Sequence, residues 1–140
     1  MTSFTDSDLD DMHHALGRPD GPHVTPYRNR YVVGLDSKQG RAMAASQGWE
    51  LACTMNGGRD GVFAVTYAGR AAMYRWLAAK HRALGRRRYV VSAKGCDPFD
   101  VMAKSAAAAK YALYLHLADA GWCNDGFKDF VRLSPMARAA

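Results

Sequence analysis

GGRDGVFAVTYAGRAAMYRW, residues 57–76, decides how the rest of the chain is read. A glycine turn leads into a short apolar run, a threonine follows, and then comes a segment studded with arginine. WELACTM (49–55) and VFAVT (62–66) carry the patterning of two strands, and NGGRDG between them offers Asn56, Gly57 and Gly61 for positive φ, with Arg59 at the tip. A β-hairpin is expected here. Thr66 is a natural N-cap, and from Tyr67 to Leu84 the Ala, Met, Leu and Arg content has high helix propensity, with Met73, Leu77 and Leu84 on one stripe. Arg75, Arg82 and Arg86 fall near a common opposite side.

Upstream, DSDLDDMHHAL (6–16) places acids where a helix dipole is positive and spaces Leu9, Met12 and Leu16 for one helical face, with Gly17 as its stop. RPDGPHVTP (18–26) holds three prolines and reads as an extended connector. YRNRYVVG (27–34) reads as a short strand in which Arg28 and Arg30 share a face, and Ser37 caps a helix expected over 38–47, stopped by Gly48. Downstream of Gly85, RRRYVVSA (86–93) and FDVMAKS (99–105) form a second strand pair around KGCDP. Ser105 then caps an alanine-rich helix to Ala120, closed by Gly121. GFKDFVRLS (126–134) adds a short helix or an edge strand, and MARAA (136–140) is expected to fray. The whole reads as an α+β protein of two small lobes, each a hairpin with helices, divided as 1–85 and 86–140.

At 140 residues, with 49% apolar and 23% charged side chains, the chain has enough material for a real core without metal or disulfide. No apolar run approaches the ~20 residues of a membrane span, and the acidic N-terminus has the wrong sign for a signal peptide. A cytoplasmic protein is expected. The net charge of +6 hides an asymmetry: residues 1–20 hold five Asp and one Arg, or −4, whereas 21–140 hold 18 Lys and Arg against 8 acids, or +10. Between Asp60 and Asp97 there is no acidic side chain, while Arg70, Arg75, Lys80, Arg82, Arg86, Arg87, Arg88 and Lys94 all fall there. A field of one sign draws polyanions.

The expected order from residue 37 to 84, helix, strand pair with a polar glycine-rich tip, then VTYAGRAA opening another helix, resembles the wing region of winged-helix regulators of the MarR and PadR kind. That resemblance implies a helix in the major groove, carrying Lys38, Gln39 and Arg41, and a wing tip, Arg59, on the backbone or in the minor groove. Such families show three helices before the wing, and only two are visible here. YRNRYVVG, VTYAGRAA and AAAAKYALYLHLAD together look similar to small accessory proteins of tailed phages and prophages, which implies a bacterial host cytoplasm and no particular reaction.

In KHRALGRRRYVV (80–91), planar guanidinium forks beside Tyr89 suit a phosphate backbone; the alternative is a solvated linker. Interleaved Tyr67, Tyr74, Trp76, Tyr89, Tyr111 and Tyr114 are either a stacking platform for single strands or core residues. The expected nucleic-acid-binding set is therefore Lys38, Arg41, Arg59, Arg70, Arg75, Arg82, Arg86, Arg87 and Arg88, with DNA or RNA as partner. A rival reading is an inhibitor that binds a bacterial host defence or transcription complex in the manner of an anti-CRISPR protein, using exposed aromatic residues as anchors. No HExxH, GxSxG, Walker or deaminase spacing occurs, so no catalytic residue, cofactor or enzymatic role is expected. Cys53, Cys96 and Cys123 show no CxxC spacing, and adjacent His13 and His14 diverge by about 100° on a helix, so neither a disulfide framework nor a metal site is expected.

Overall fold

The computed structural model describes residues 3–140, which contain helices and antiparallel sheets in an α+β arrangement. The chain divides into two compact units, one ending at Ala78 and one beginning at Ala79, inside a helix.

The first unit opens with α1 (Asp6–Ala15), whose N-terminus is closed by a reciprocal capping box: Thr5 Oγ1 accepts from Asp8 N at 3.1 Å, and Asp8 Oδ2 accepts from Thr5 N at 3.0 Å. Gly17, at φ 82°, ends it. β1 (Tyr31–Gly34) is shorter than the alternation of 27–34 implies. The reason is Asn29, whose side chain accepts from Val65 N at 2.7 Å and donates to Val65 O at 3.2 Å, replacing a strand pair with an amide clamp. α2 (Lys38–Ala45) is capped by Ser37, which accepts from Gly40 N at 2.9 Å; it stops short of Gln47, with Ser46 already extended.

β2 (Trp49–Met55) and β3 (Asp60–Val65) form the expected hairpin, and β1 adds to the far side of β3, giving the antiparallel order β1-β3-β2. Positive φ falls on Asn56, Gly57 and Gly58 rather than on Gly61. Gly61 lies within β3, where a Cβ would stand 2.7 Å from the Leu35 side chain, so its smallness serves packing instead of the turn. The register between β2 and β3 shifts between Leu51 and Cys53, making a bulge at Ala52. Phe63 and Val65 on the inner face of β3 join Leu9, Met12, Leu16, Met43, Trp49 and Met73 in one core. Phe63 is fully buried, so its truncation to alanine carries a cost of about 3–5 kcal/mol.

α3 (Tyr67–Ala83) starts under Thr66, whose hydroxyl accepts from Gly69 N at 3.1 Å. Met73 and Leu77 are buried as the stripe requires, but Leu84 is 47% exposed, and His81 is the buried residue of the helix's last turn. The chain has turned by then: Gly85 sits at φ 69° and Arg86 N donates to His81 O at 2.8 Å.

The second unit consists of the end of α3, β4 (Arg87–Ser92), β5 (Phe99–Ala103), α4 (Ala106–Asp119), α5 (Phe127–Arg132) and β6 (Met136–Ala139). The strand order is β5-β4-β6, antiparallel throughout. The expectation of a frayed C-terminus is overturned, because Met136–Ala139 completes the ladder of β4 and Ala140 N donates to Arg88 O at 3.0 Å. α4 packs on the sheet face that carries Tyr89, Val91 and Val101, and Phe130 of α5 is fully buried in the same core. Among the described residues, no helix is long and apolar enough to cross a membrane.

Candidate nucleic-acid interface

In the first unit, α2 turns Gly40 and Met43 inward and leaves Lys38 and Arg41 exposed, about 60° apart around the helix. The inward glycine has a steric cause: a Cβ on it would stand 2.0 Å from Gly34 O. Exposed Asp36 precedes this helix and tempers its charge. Arg59 occupies the hairpin tip, where its Nε donates to Asn56 O at 3.2 Å and folds the side chain back over the turn. Asp60 follows at once and accepts from Asn56 Nδ2 at 2.5 Å. On α3, Arg75 is exposed, whereas Arg70 is half-buried beside Tyr74. Burial pushes the Tyr74 phenol above its ordinary range, and the Arg70 charge opposes that shift.

In the second unit, Arg82 and Arg86 are exposed, but Arg86 lies past the helix end and does not continue the face of α3. The run Arg86, Arg87 and Arg88 is not one cluster, because a strand begins inside it and successive side chains leave on opposite faces. Arg87 lies on the core side: its Nε donates to the Tyr89 hydroxyl at 3.0 Å, and its guanidinium carbon stands 5.4 Å from the centre of that ring. Arg88 takes the outer face and pairs with Asp100, Nη2 to Oδ1 at 2.8 Å. Among the described residues, it is the only member of the expected set with a carboxylate within ion-pair distance. Arg138 lies opposite Val90 on the same outer face, a cation that the expectation of fraying concealed. Of the interleaved tyrosines, Tyr89 belongs to the core of the second unit, whereas Tyr67 and Tyr111 are exposed.

The first unit also holds a cationic depression of about 390 Å³ lined by His14, Arg28, Arg30, Tyr31, Val32 and Gln39. Arg28 and Arg30 stood outside the expected site, although their i, i+2 spacing before a strand was the available signal. In the second unit, Cys96, Asp97 and His116 line a separate depression of about 330 Å³, and Phe99 stacks on His116 with ring centres 5.1 Å apart. Cys123 is buried, and burial pushes its thiol above the usual range, the opposite of what a nucleophile needs. No group of three or more His, Cys, Asp or Glu side chains that could hold a metal occurs among the described residues. An alkylating reagent should therefore label exposed Cys53 first, half-buried Cys96 more slowly and Cys123 only on unfolding. Peptide mass mapping checks the order, and early labelling of Cys123 would contradict its burial.

The chain matches no protein-family model, no curated protein and no solved structure.

Proposed function

We propose that the chain binds nucleic acid, DNA or RNA, through the backbone phosphates, as an accessory or regulatory protein of a phage or prophage with a winged-helix-like first unit. One observation carries the reading: the cations of α2, the hairpin tip and the acid-free run after Asp60 include Lys38, Arg41, Arg59, Arg75, Arg82 and Arg86, all exposed and without a carboxylate partner among the described residues. Unpaired guanidinium groups keep their donors for phosphate oxygens. The order α2, β2, β3, α3 supports the winged-helix part of the proposal, with Lys38 and Arg41 on the helix ahead of the wing and Arg59 at its tip. Arg88 drops out of the contact set because Asp100 already holds it.

Fluorescence anisotropy with duplex DNA and RNA at two salt concentrations tests this. Neutralising about 4 phosphates gives a log–log salt slope of about −3.5, and a Kd no tighter than about 100 μM at low salt would overturn the proposal. Changing Arg86, Arg87 and Arg88 together to alanine should weaken binding. The melting temperature should fall only modestly, since the exposed Arg88–Asp100 pair contributes about 0.2–1 kcal/mol and the Arg87 hydrogen bond to Tyr89 about 0.5–1.5 kcal/mol.

A second reading, a protein-interaction inhibitor of a bacterial host complex, is favoured by the exposed apolar residues of the second unit. Tyr111 and Leu115 on α4, Phe127 and Val131 on α5, and Trp122 between them remain open to solvent. Exposed Tyr and Trp side chains such as Tyr111 and Trp122 are the residue types enriched among interface anchors. A pull-down from nuclease-treated bacterial lysate separates the two: one stoichiometric protein retained supports the inhibitor, and loss of everything supports a nucleic-acid tether.

A further inference from the structure

None of the cations of the expected nucleic-acid set lines the depression beside β1. Arg28 and Arg30 enter it from one extended segment, because Asn29 between them turns the other way to clamp Val65. Arg28 is already fixed: its Nη2 donates to His14 O at 2.7 Å, its guanidinium carbon stands 5.6 Å from the centre of the Tyr27 ring, and its Nε is closed off from solvent without an acceptor. A cation anchored in this way loses little freedom when it takes a ligand, and its Nη1 has no partner among the described residues. Arg30 is exposed and pairs with no carboxylate among those residues.

The opposite wall is polar and aromatic. The Tyr31 and His14 rings meet edge to face with centres 6.0 Å apart. Gln39 Nε2 donates to the Tyr31 hydroxyl at 3.2 Å and to Asp11 Oδ2 at 3.2 Å. With its oxygen already accepting, the Tyr31 hydroxyl has its own proton left to donate. Asp11 meets this wall through Gln39; burial raises its carboxyl pKa, and the Gln39 amide occupies one oxygen. Two guanidinium groups, an imidazole and a phenol therefore converge on one open space, with aromatic edges beside them.

We propose that this depression binds a phosphate group, Arg28 and Arg30 holding its oxygens and Tyr31 donating the third contact. Tetrahedral phosphate suits donors arriving from more than one direction, and planar guanidinium forks match its oxygens in pairs. The volume lies within the range of small-ligand sites, so a nucleoside monophosphate fits as well as inorganic phosphate does. The same chemistry is offered by a phosphodiester of a nucleic-acid chain, and the experiment separates these sources. The site shares Gln39 with the helix of the proposed function, but none of Lys38, Arg41 and Arg59 lines it.

The test is amide chemical-shift titration of the full chain with inorganic phosphate, with AMP and with a short single-stranded oligonucleotide. Saturable shifts at His14, residues 28–32 and Gln39, weakened about five-fold or more in Arg30→Gln, are expected. Arg30 is exposed and its side chain pairs with no carboxylate among the described residues, so that variant should fold; Arg28→Lys is the second variant, keeping charge and losing the fork. Stronger binding of AMP than of the oligonucleotide identifies a free nucleotide as source, and the reverse identifies the chain phosphate. No shifts at these residues up to about 20 mM phosphate, or shifts unchanged by Arg30→Gln, overturn the site. Arg59→Gln serves as the control: it should weaken oligonucleotide binding under the proposed function and leave the phosphate titration untouched.

Discussion

Gly40→Ala is expected to destabilise the first unit by about 3 kcal/mol or more, although alanine is the better helix former by about 1 kcal/mol. The added Cβ would lie 2.0 Å from Gly34 O, 2.9 Å from Gly34 C and 3.1 Å from Leu35 Cα. All three neighbours are backbone, so no side chain can rotate out of the way, and α2 must separate from the end of β1. That separation would also pull Met43 from the core. Ala42→Gly on the exposed face of the same helix is the comparison, with an expected loss of about 1 kcal/mol from propensity alone. Urea denaturation of the two variants reads the difference directly. A Gly40→Ala protein as stable as the parent would mean that α2 is not seated against Gly34.

Deleting residues 136–140 is the second large effect, with an expected cost to the second unit of about 3 kcal/mol or more. β6 supplies one whole flank of β4, pairing from Tyr89 opposite Ala139 to Ser92 opposite Met136, with one further bond from Ala140 N to Arg88 O. Each backbone bond contributes about 0.5–1.5 kcal/mol net, and the β4 groups left open lie beside Tyr89 and Val91, which are buried. Hydrogen exchange at the β4 amides, followed with and without the deletion, is the measurement. Unchanged protection there would show that the C-terminal strand carries no load.

These two variants also mark what the sequence discloses and what it conceals. The β2–β3 hairpin, the caps at Ser37, Thr66 and Ser105, and the stops at Gly17, Gly85 and Gly121 are legible because each depends on neighbours a few residues away. The pairing of β1 with β3 and of β6 with β4 is not. Both are four-residue strands whose partners are remote, and MARA shows too little alternation to separate a strand from a loose end. The same limit governs the cations. Arginine content located the basic body, but whether Arg87 and Arg88 share a face depends on where β4 begins, and Asp100 reaches Arg88 only through the β4–β5 register. Arg28 and Arg30 come to line one depression because Asn29 bonds to Val65, a contact between residues 36 apart in the chain.

The bulge at Ala52 bears on how the protein behaves in a crowded solution. β2 is an outer strand of its sheet and carries the exposed apolar side chains Leu51 and Met55. A regular ladder there would template a strand from another molecule, the first step towards fibrils. The extra residue breaks the spacing of the free amide and carbonyl groups and twists the rim, so an incoming chain cannot hydrogen-bond along its full length.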